Sequence, residues 1–359
     1  MKRIIVLLLF VGAGFAGKAQ RSPEVYRQRV RLIYQNIFSQ FYDPGQKLFR
    51  ETNERVQEKP HSYLWPVCAL IQAANEMEVL DPSKPVMERV DAAIAQYYNT
   101  ESPAPGYQAY VTREKRDARF YDDNQWIAIA WLDAYNRTRE RNYLDKAREI
   151  YTFMMTGYDT VSGGGLYWKE GDLSTKNTCS NGPGILVALQ LYRITGEPAY
   201  LKVAEELYDW TNRHLRSPEG VYYDAIKLPG LKIDSATYTY NTGTMLQSSV
   251  LFYTITGDEN YLQEARTIAA AAKSHFYTKR KNRLPGNYWF NAVMLRGYLE
   301  LYRVDKDAGI LTFIIDDAER VWEEERDAGN LLGRHAKKSL LDQAGMLEIY
   351  ARLAQLGRP

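Results

Sequence analysis

Cysteine and histidine are scarce. Cys68 and Cys179 are the only thiols, and the four histidines, His61, His214, His275 and His335, are scattered along the chain. No two histidines have metal-pair spacing, so no metal is expected in the working site. Two cysteines cannot staple a scaffold, and a chain of 359 residues does not need stapling. Both read as buried thiols, because free cysteine packs as a small hydrophobe. An excess of either charge is missing too: 46 Lys and Arg face 44 Asp and Glu, a formal net charge of +2. That balance offers no attraction to a polyanion, so nucleic acid is not an expected partner. The basic run "KRKNR" (279–283) is short and reads as a solvated loop. The chain contains no G-x-S-x-G elbow and no strand, glycine-rich loop and helix in the order that cradles a phosphate. No cofactor is implied.

Long apolar runs are absent beyond the N-terminus, so no transmembrane span is expected. The N-terminus reads "MKRIIVLLLFVGAGFAGKAQ". Lys2 and Arg3 precede an apolar core from Ile4 to Phe15, and Gly17 and Ala19 flank Lys18 ahead of Gln20. This is the pattern of a secretory signal, residues 1–19, cleaved to leave one domain over 20–359. No cysteine follows the apolar core, so no lipid or membrane anchor is expected after cleavage.

What is present is a repeat. Tyr143-Leu144, Tyr200-Leu201 and Tyr261-Leu262 are each followed by Ala and then Ile or Leu at equal offsets, with tyrosine steps of 57 and 61 residues. Charges fill the intervening positions, which describes helices with one wet face. Each is preceded by a segment apolar on all sides: "WIAIAWL" (126–132), "GILVALQLY" (184–192) and "MLQSSVLFY" (245–253). A helix apolar all round is buried all round. The joints "RITGEPAY" and "TITGDENY" place Gly196 and Gly257 to end one helix, and Glu197 and Asp258 to start the next.

Extending this unit predicts buried helices near 64–78, 121–138, 181–195, 239–255, 288–304 and 339–355. Wet-faced helices are predicted near 23–40, 84–99, 141–156, 198–214, 259–275 and 308–324. Repeats of this length stack. The buried set is too apolar to line an open groove, so the expectation is an all-α ring, buried helices inside and amphipathic ones outside. Short hairpins are expected at 163–168 and 220–228.

One segment conflicts with burial. "YDDNQWIAIAWLDAY" puts Asp122 and Asp123 directly ahead of an inner helix. Helix capping explains such acids in ordinary cases. Three features point further: the helix opens at one end of the ring, the aromatics Tyr121 and Trp126 flank the pair, and the acids are contiguous. At a helix start, neighbouring side chains diverge by about 100° while their α-carbons stay about 3.8 Å apart. Two carboxyls about 5–5.5 Å apart suit a retaining glycosidase, one attacking the anomeric carbon and the other protonating the leaving oxygen. Their proximity should push one pKa upward, in a coupled titration.

Four further loops precede or follow inner helices. "SGGGLYWKEGD" offers Gly164 and Gly165, where a backbone could approach a ligand closely, and Trp168. "TKNTCSNGPG" offers Asn177 and Asn181, "TYTYNTG" offers Tyr240 and Asn241, and "YYDAI" offers Asp224. Each also has a plain turn or cap reading. Together they predict one shared rim.

"YDDNQWIAIAWLDAY", "GGGLYW", "KNTCSNGPGILVALQLYRITG" and "YTYNTGTMLQSSVLFYTITGD" together resemble glycoside hydrolase family 76, over roughly residues 60–350. The resemblance implies an (α/α)6 barrel acting on α-1,6-mannan or manno-oligosaccharides by a retaining, metal-free mechanism. It implies that Asp122 is the nucleophile and Asp123 the acid/base, with the other loop residues lining the sugar sites. Cys179 stands where such sequences often carry a small aliphatic residue. The resemblance also admits glycan transfer in place of hydrolysis, and it implies export to the periplasm of a Gram-negative glycan degrader or to the medium. Alternatives are another (α/α)6 carbohydrate enzyme, such as an unsaturated glucuronyl hydrolase or sugar epimerase, and a glycan-binding protein with a dead site. The adjacent acids favour the first reading.

Overall fold

Threonine and a left-handed residue make the recurring joint. Arg139, Gly196 and Gly257 end three helices with φ of 63°, 71° and 72°. One residue earlier, the Thr138, Thr195 and Thr256 hydroxyls accept the N–H of Glu140, Glu197 and Asp258 at 3.2, 3.1 and 3.2 Å. The chain therefore reverses within two residues, and consecutive helices lie antiparallel. Asp258 also caps its helix, accepting the Asn260 N–H at 2.9 Å. Glu197 does not cap; its carboxylate pairs with Arg148 at 2.6 Å.

The computed structural model describes residues 21–54 and 59–356. The expected export signal, 1–19, lies outside the described residues. Among the described residues, twelve α-helices alternate between two rings. The inner ring holds α2 (Leu64–Leu80), α4 (Tyr121–Thr138), α6 (Thr178–Thr195), α8 (Thr239–Thr256), α10 (Tyr288–Asp305) and α12 (Leu340–Leu353). The outer ring holds α1 (Pro23–Gln40), α3 (Val86–Ile94), α5 (Arg141–Met155), α7 (Pro198–Leu215), α9 (Glu259–Phe276) and α11 (Thr312–Glu324). Each inner helix packs on the next, and α12 packs back on α2, closing an (α/α)6 barrel around one continuous apolar core. At the seam α1 lies against α12. There the buried Arg29 guanidinium grips Glu319 of α11 with two bonds of 2.8 Å and covers the Trp322 and Tyr350 rings.

Three boundaries differ from the sequence expectation. The outer segment 84–99 is helical only over Val86–Ile94 and tightens into a 3-10 turn. The segment at 308 likewise opens with a 3-10 turn before α11. Inner helix α6 starts at Thr178, so Gly182, Pro183 and Gly184 sit inside it. The glycines serve packing there: a Cβ on Gly182 would meet the Thr244 hydroxyl at 2.2 Å.

Strands occupy the connections that run from an outer helix to the next inner one. Two ribbons, β1 (Tyr42–Asp43) with β2 (Leu48–Phe49) and β3 (Tyr98–Asn99) with β4 (Gly106–Tyr107), are minimal. Two longer hairpins form, β5 (Tyr167–Lys169) with β6 (Asp172–Asn177) and β7 (Tyr223–Lys227) with β8 (Lys232–Thr237); the expected segments 163–168 and 220–228 supply only their first strands. They do not stay separate. β6 pairs with β7, Thr175 opposite Lys227, giving one four-stranded antiparallel sheet at the mouth of the barrel.

Glycine lets the inner helices approach. A Cβ on Gly243 of α8 would lie 2.5 Å from the Met294 α-carbon of α10, and one on Gly345 of α12 would lie 2.4 Å from the Trp289 nitrogen. Backbone atoms cannot step aside as a side chain can. Gly243→Ala is therefore expected to cost about 1–3 kcal/mol and to lower the melting temperature by several degrees. Gly230→Ala is the control, since nothing lies within 4 Å of the point where its methyl group would stand. Calorimetry showing equal melting of the two variants would mean that the inner ring has slack.

Candidate active site

The second residue of nearly every inner helix faces the same space. Trp65, Asp122, Cys179, Tyr240 and Trp289 hold that position in α2, α4, α6, α8 and α10, and all five line one cavity of about 650 Å3. The helices enter the barrel from one end, so their first turns converge there. The connecting hairpins build the rim with Phe120, Trp168, Asn177, Asp224 and Tyr238.

The floor is aromatic. Trp126 and Trp289 meet edge to face at 5.5 Å, and Trp65 lies 6.2 Å from Trp289. Tyr240 stacks on Phe290 at 3.9 Å and reaches toward Trp126. Such a surface suits the apolar C–H faces of a sugar.

Asp122 and Asp123 open into this cup with no cationic partner: among the described residues neither carboxylate forms an ion pair. Asp122 receives the Trp168 indole N–H on Oδ2 at 3.3 Å, and its Oδ1 is buried without a hydrogen-bond partner. Burial raises the Asp122 pKa to about 6, while the neighbouring Cys179 thiol and the Trp168 N–H limit the rise. Asp123 has no such donors. Burial, then the charge of Asp122, pushes its pKa well above the usual carboxylate range. Both acids are thus harder to ionise than free carboxylates, and Asp123 the harder of the two.

Support comes from beneath the rim. Asn124, Asn181, Thr242 and Gln343 are each the fourth residue of an inner helix. Their side-chain oxygens accept the N–H of Tyr107, Leu166, Tyr222 and Leu332 at 2.7, 2.8, 3.2 and 2.9 Å. Each of these helices thereby ties down the connection in front of it. Lys176 anchors the glycine loop similarly: its buried ammonium donates to Asp159 Oδ1 at 2.6 Å and to the carbonyls of Val161 and Gly164 at 2.9 and 2.6 Å.

These ties correct part of the expected rim. Asn181 spends its amide on Leu166 and Asn177 backbone and does not line the cavity. Gly164 and Gly165 do not approach the cavity either. Their φ values of 118° and 85° are left-handed, and a Cβ on Gly165 would strike the Trp210 ring at 2.6 Å, so what they approach closely is an outer helix. Tyr121 turns outward, onto Phe153 and the Thr156 hydroxyl, because the first residue of α4 faces α5. Asn241 is fully buried and donates to Asp224 at 3.4 Å, acting behind the rim. Trp126, Trp168, Asn177, Asp224 and Tyr240 do line the cavity with the acid pair. Asn177 is buried with an unpartnered Oδ1, and burial raises the Asp224 pKa.

Sequence reasoning missed Tyr63, Trp65, Lys115, Asp117, Phe120, Tyr238, Trp289 and Phe290, which also line the cavity. A signal existed for Trp65 and Trp289: each is second in its helix, as Asp122 is. The loop residues Lys115 and Asp117 carried none. Cys68 and Cys179 are both free and buried. Cys68 donates to the Asp123 carbonyl at 3.3 Å, and Cys179 joins the cavity wall. Among the described residues, no group of three or more His, Cys, Asp or Glu is placed to hold a metal ion, and no helix is long and apolar enough to cross a membrane.

The stability consequence follows from the sign of the shifts. Both folded-state pKa values exceed their unfolded values, so the native state holds more protons than the unfolded state between about pH 4 and the folded pKa. The pair's contribution is most favourable below about pH 4 and is lost as pH rises through about 6 for Asp122 and higher for Asp123. The double variant Asp122→Asn/Asp123→Asn should therefore melt a few degrees above wild type at pH 7, with the gap closing on acidification toward pH ~4. A double variant less stable than wild type at pH 7 would show that the site favours the ionised carboxyls over the neutral amides.

A family model described as glycosyl hydrolase family 76 matches residues 26–344. A family 76 α-mannanase from Bacteroides thetaiotaomicron superposes with a TM-score of 0.85 at 26% identity, over 93% of this chain and 98% of that one. An inactive variant of an α-1,6-mannanase from Salegentibacter sp. HEL1_6, with two consecutive aspartates changed to asparagine and α-1,6-mannotriose bound, shares the fold. Its TM-score is 0.79 at 21% identity, over 92% of this chain and 99% of that one. In sequence, a mannan endo-1,6-α-mannosidase from Saccharomyces cerevisiae is 28% identical over 184 residues, 47% of this chain. The match spans only 41% of that relative's length.

Proposed function

Because the chain belongs to glycosyl hydrolase family 76, we propose that it cleaves the α-1,6-mannosidic linkages of mannan or manno-oligosaccharides with retention of configuration, through Asp122 and Asp123. The observation that carries the reading is the unequal tuning of two adjacent carboxyls inside an aromatic cup. Asp122 ionises first. Trp168 orients the carboxylate by donating to Oδ2, and the ionised group attacks the anomeric carbon. Asp123, still protonated, delivers its proton to the departing glycosidic oxygen, then accepts one from the water that releases the sugar. Two inversions at the anomeric carbon return the original configuration.

Around the acids, Trp126 and Tyr240 supply apolar contact to the sugar, while Asn177 and Asp224 add polar side chains to the cavity wall. Tyr121, Asn181, Gly164, Gly165 and Asn241 contribute by placing these groups. The names of the Bacteroides, Salegentibacter and yeast relatives support mannan as the substrate class. The N-terminal pattern supports removal of 1–19 and export of the 20–359 catalytic domain, with the periplasm of a Gram-negative bacterium as its place of action.

Two measurements test the roles. Single Asp122→Asn and Asp123→Asn variants should lose about 10²–10⁴-fold or more in kcat on linear α-1,6-mannan. The wild-type rate should rise with pH through about 6, as Asp122 ionises, and fall again at the higher pH where Asp123 loses its proton. A variant with near-wild-type turnover would remove that residue from the chemistry.

Azide separates the two acids. With an activated α-mannoside, Asp122→Ala should yield a β-mannosyl azide, because azide attacks from the vacated face. Asp123→Ala should yield the α-mannosyl azide, because azide intercepts the covalent intermediate. NMR reads the anomer. Interchanged products would reverse the roles, and inverted product from wild type would refute retention.

A further inference from the structure

Below the aromatic floor the barrel axis turns polar. Gln72, Arg296 and Glu348 are the ninth residues of α2, α10 and α12, seven positions after Trp65, Trp289 and Leu341. Seven residues are two helical turns, about 10 Å. All three are buried. Arg296 grips Glu348 with two bonds of 2.6 Å, and Glu348 takes a third N–H from Arg352 at 2.8 Å. Burial alone would raise the Glu348 pKa, but the two guanidinium groups outweigh it and hold the carboxylate below its usual range.

Gln72 joins this ion network to the floor. Its Oε1 accepts from the Arg296 guanidinium and, at 3.0 Å, from the Trp289 indole Nε1. Its Nε2 donates to the Trp126 carbonyl at 3.0 Å. Trp289 and Trp126 are the two edge-to-face rings of the floor, 76° between planes. One amide thus ties α2, α4 and α10 together directly under the rings that face the acids.

We propose that Gln72 is a positioning residue, pinning the Trp289 indole by its N–H so that the cleft floor holds the sugar in line with Asp122. The inference rests on the catalytic reading of this cleft. Its physical basis is the interior around Trp289. An indole N–H turned away from water needs an acceptor, and Gln72 Oε1 is the one it has. Arg296 holds that same oxygen in place, and Glu348 holds Arg296. Without the amide oxygen, the indole N–H and one arginine N–H lose their partner. The ring can recover a partner only by rotating toward the open cavity, which displaces the sugar. A misplacement of about 1 Å at a remote contact can cost about 10²-fold in rate.

The test compares Gln72→Met, Gln72→Glu, Trp289→Phe and the double variant Gln72→Met/Trp289→Phe with wild type on linear α-1,6-mannan. Gln72→Met, of similar volume, should lower kcat/KM about 10–100-fold, mostly through kcat, and should change the ultraviolet resonance Raman band of the indole N–H without substrate. Gln72→Glu keeps the acceptor and should restore most of the rate and the wild-type band. In the Trp289→Phe background, Gln72→Met should cost nothing further. Additive losses, or a Gln72→Met enzyme with wild-type kcat/KM, would overturn the proposal. If Gln72→Met does not fold, Trp289→Phe with undiminished kcat/KM overturns it equally. Failure of the wild-type protein to cleave mannan would refute the functional reading instead. The Raman comparison of Met and Glu variants would then decide the pinning by itself.

Discussion

Close backbone contact between neighbouring inner helices sets every distance in the cleft. Gly243 against Met294 and Gly345 against Trp289 leave no room even for a methyl group. Helices that close on one another bring their first turns together around the axis, so nearly all contribute their second residue to a common wall. The chemistry of the cavity is therefore written one residue per helix. Strand pairs from the preceding connection complete the sectors of α2, α4, α6 and α8, and a side chain at the fourth position of most inner helices holds the connection in front of it.

The same convergence shapes the electrostatics. Helix N-termini carry partial positive charge, and several of them point into this cup. That field, with the Trp168 N–H, favours one negative charge in an otherwise apolar setting. It does not favour two. Among the described residues no lysine or arginine bonds to the pair, and burial together with the charge of Asp122 pushes the pKa of the second acid upward. A cation placed beside Asp123 would favour its ionised form and remove the asymmetry between the two acids.

The inner helices are layered along their length. Near the mouth they carry the reactive and aromatic residues. Deeper, the Gln72, Arg296, Glu348 and Arg352 cluster satisfies itself. A buried ion network of this kind adds little net stability compared with apolar packing. Its value lies in direction: its hydrogen bonds fix ring orientations that dispersion contacts leave soft.

Local pattern was enough for the helices, their inner and outer assignment, the tight joints and the acid pair, because these depend on periodicity and on residues within a few positions of each other. "WIAIAWL" must be buried wherever it lies, and Gly196 and Gly257 can end helices without knowing their neighbours. Local pattern put Tyr121, Asn181, Gly164, Gly165 and Asn241 in the right loops, but none of them lines the cavity. Whether a rim residue faces the cavity or braces it depends on rotation about the helix axis and on partners far along the chain, such as Leu166 for Asn181 and Trp210 for Gly165. The joining of β6 to β7, the meeting of Trp65 with Trp289, and the unequal pKa values of Asp122 and Asp123 are tertiary facts. The sequence by itself determined which residues could carry charge or stack on a sugar. Only ring closure decided which of them share one desolvated space, because burial and distance do not exist until the last helix packs against the first.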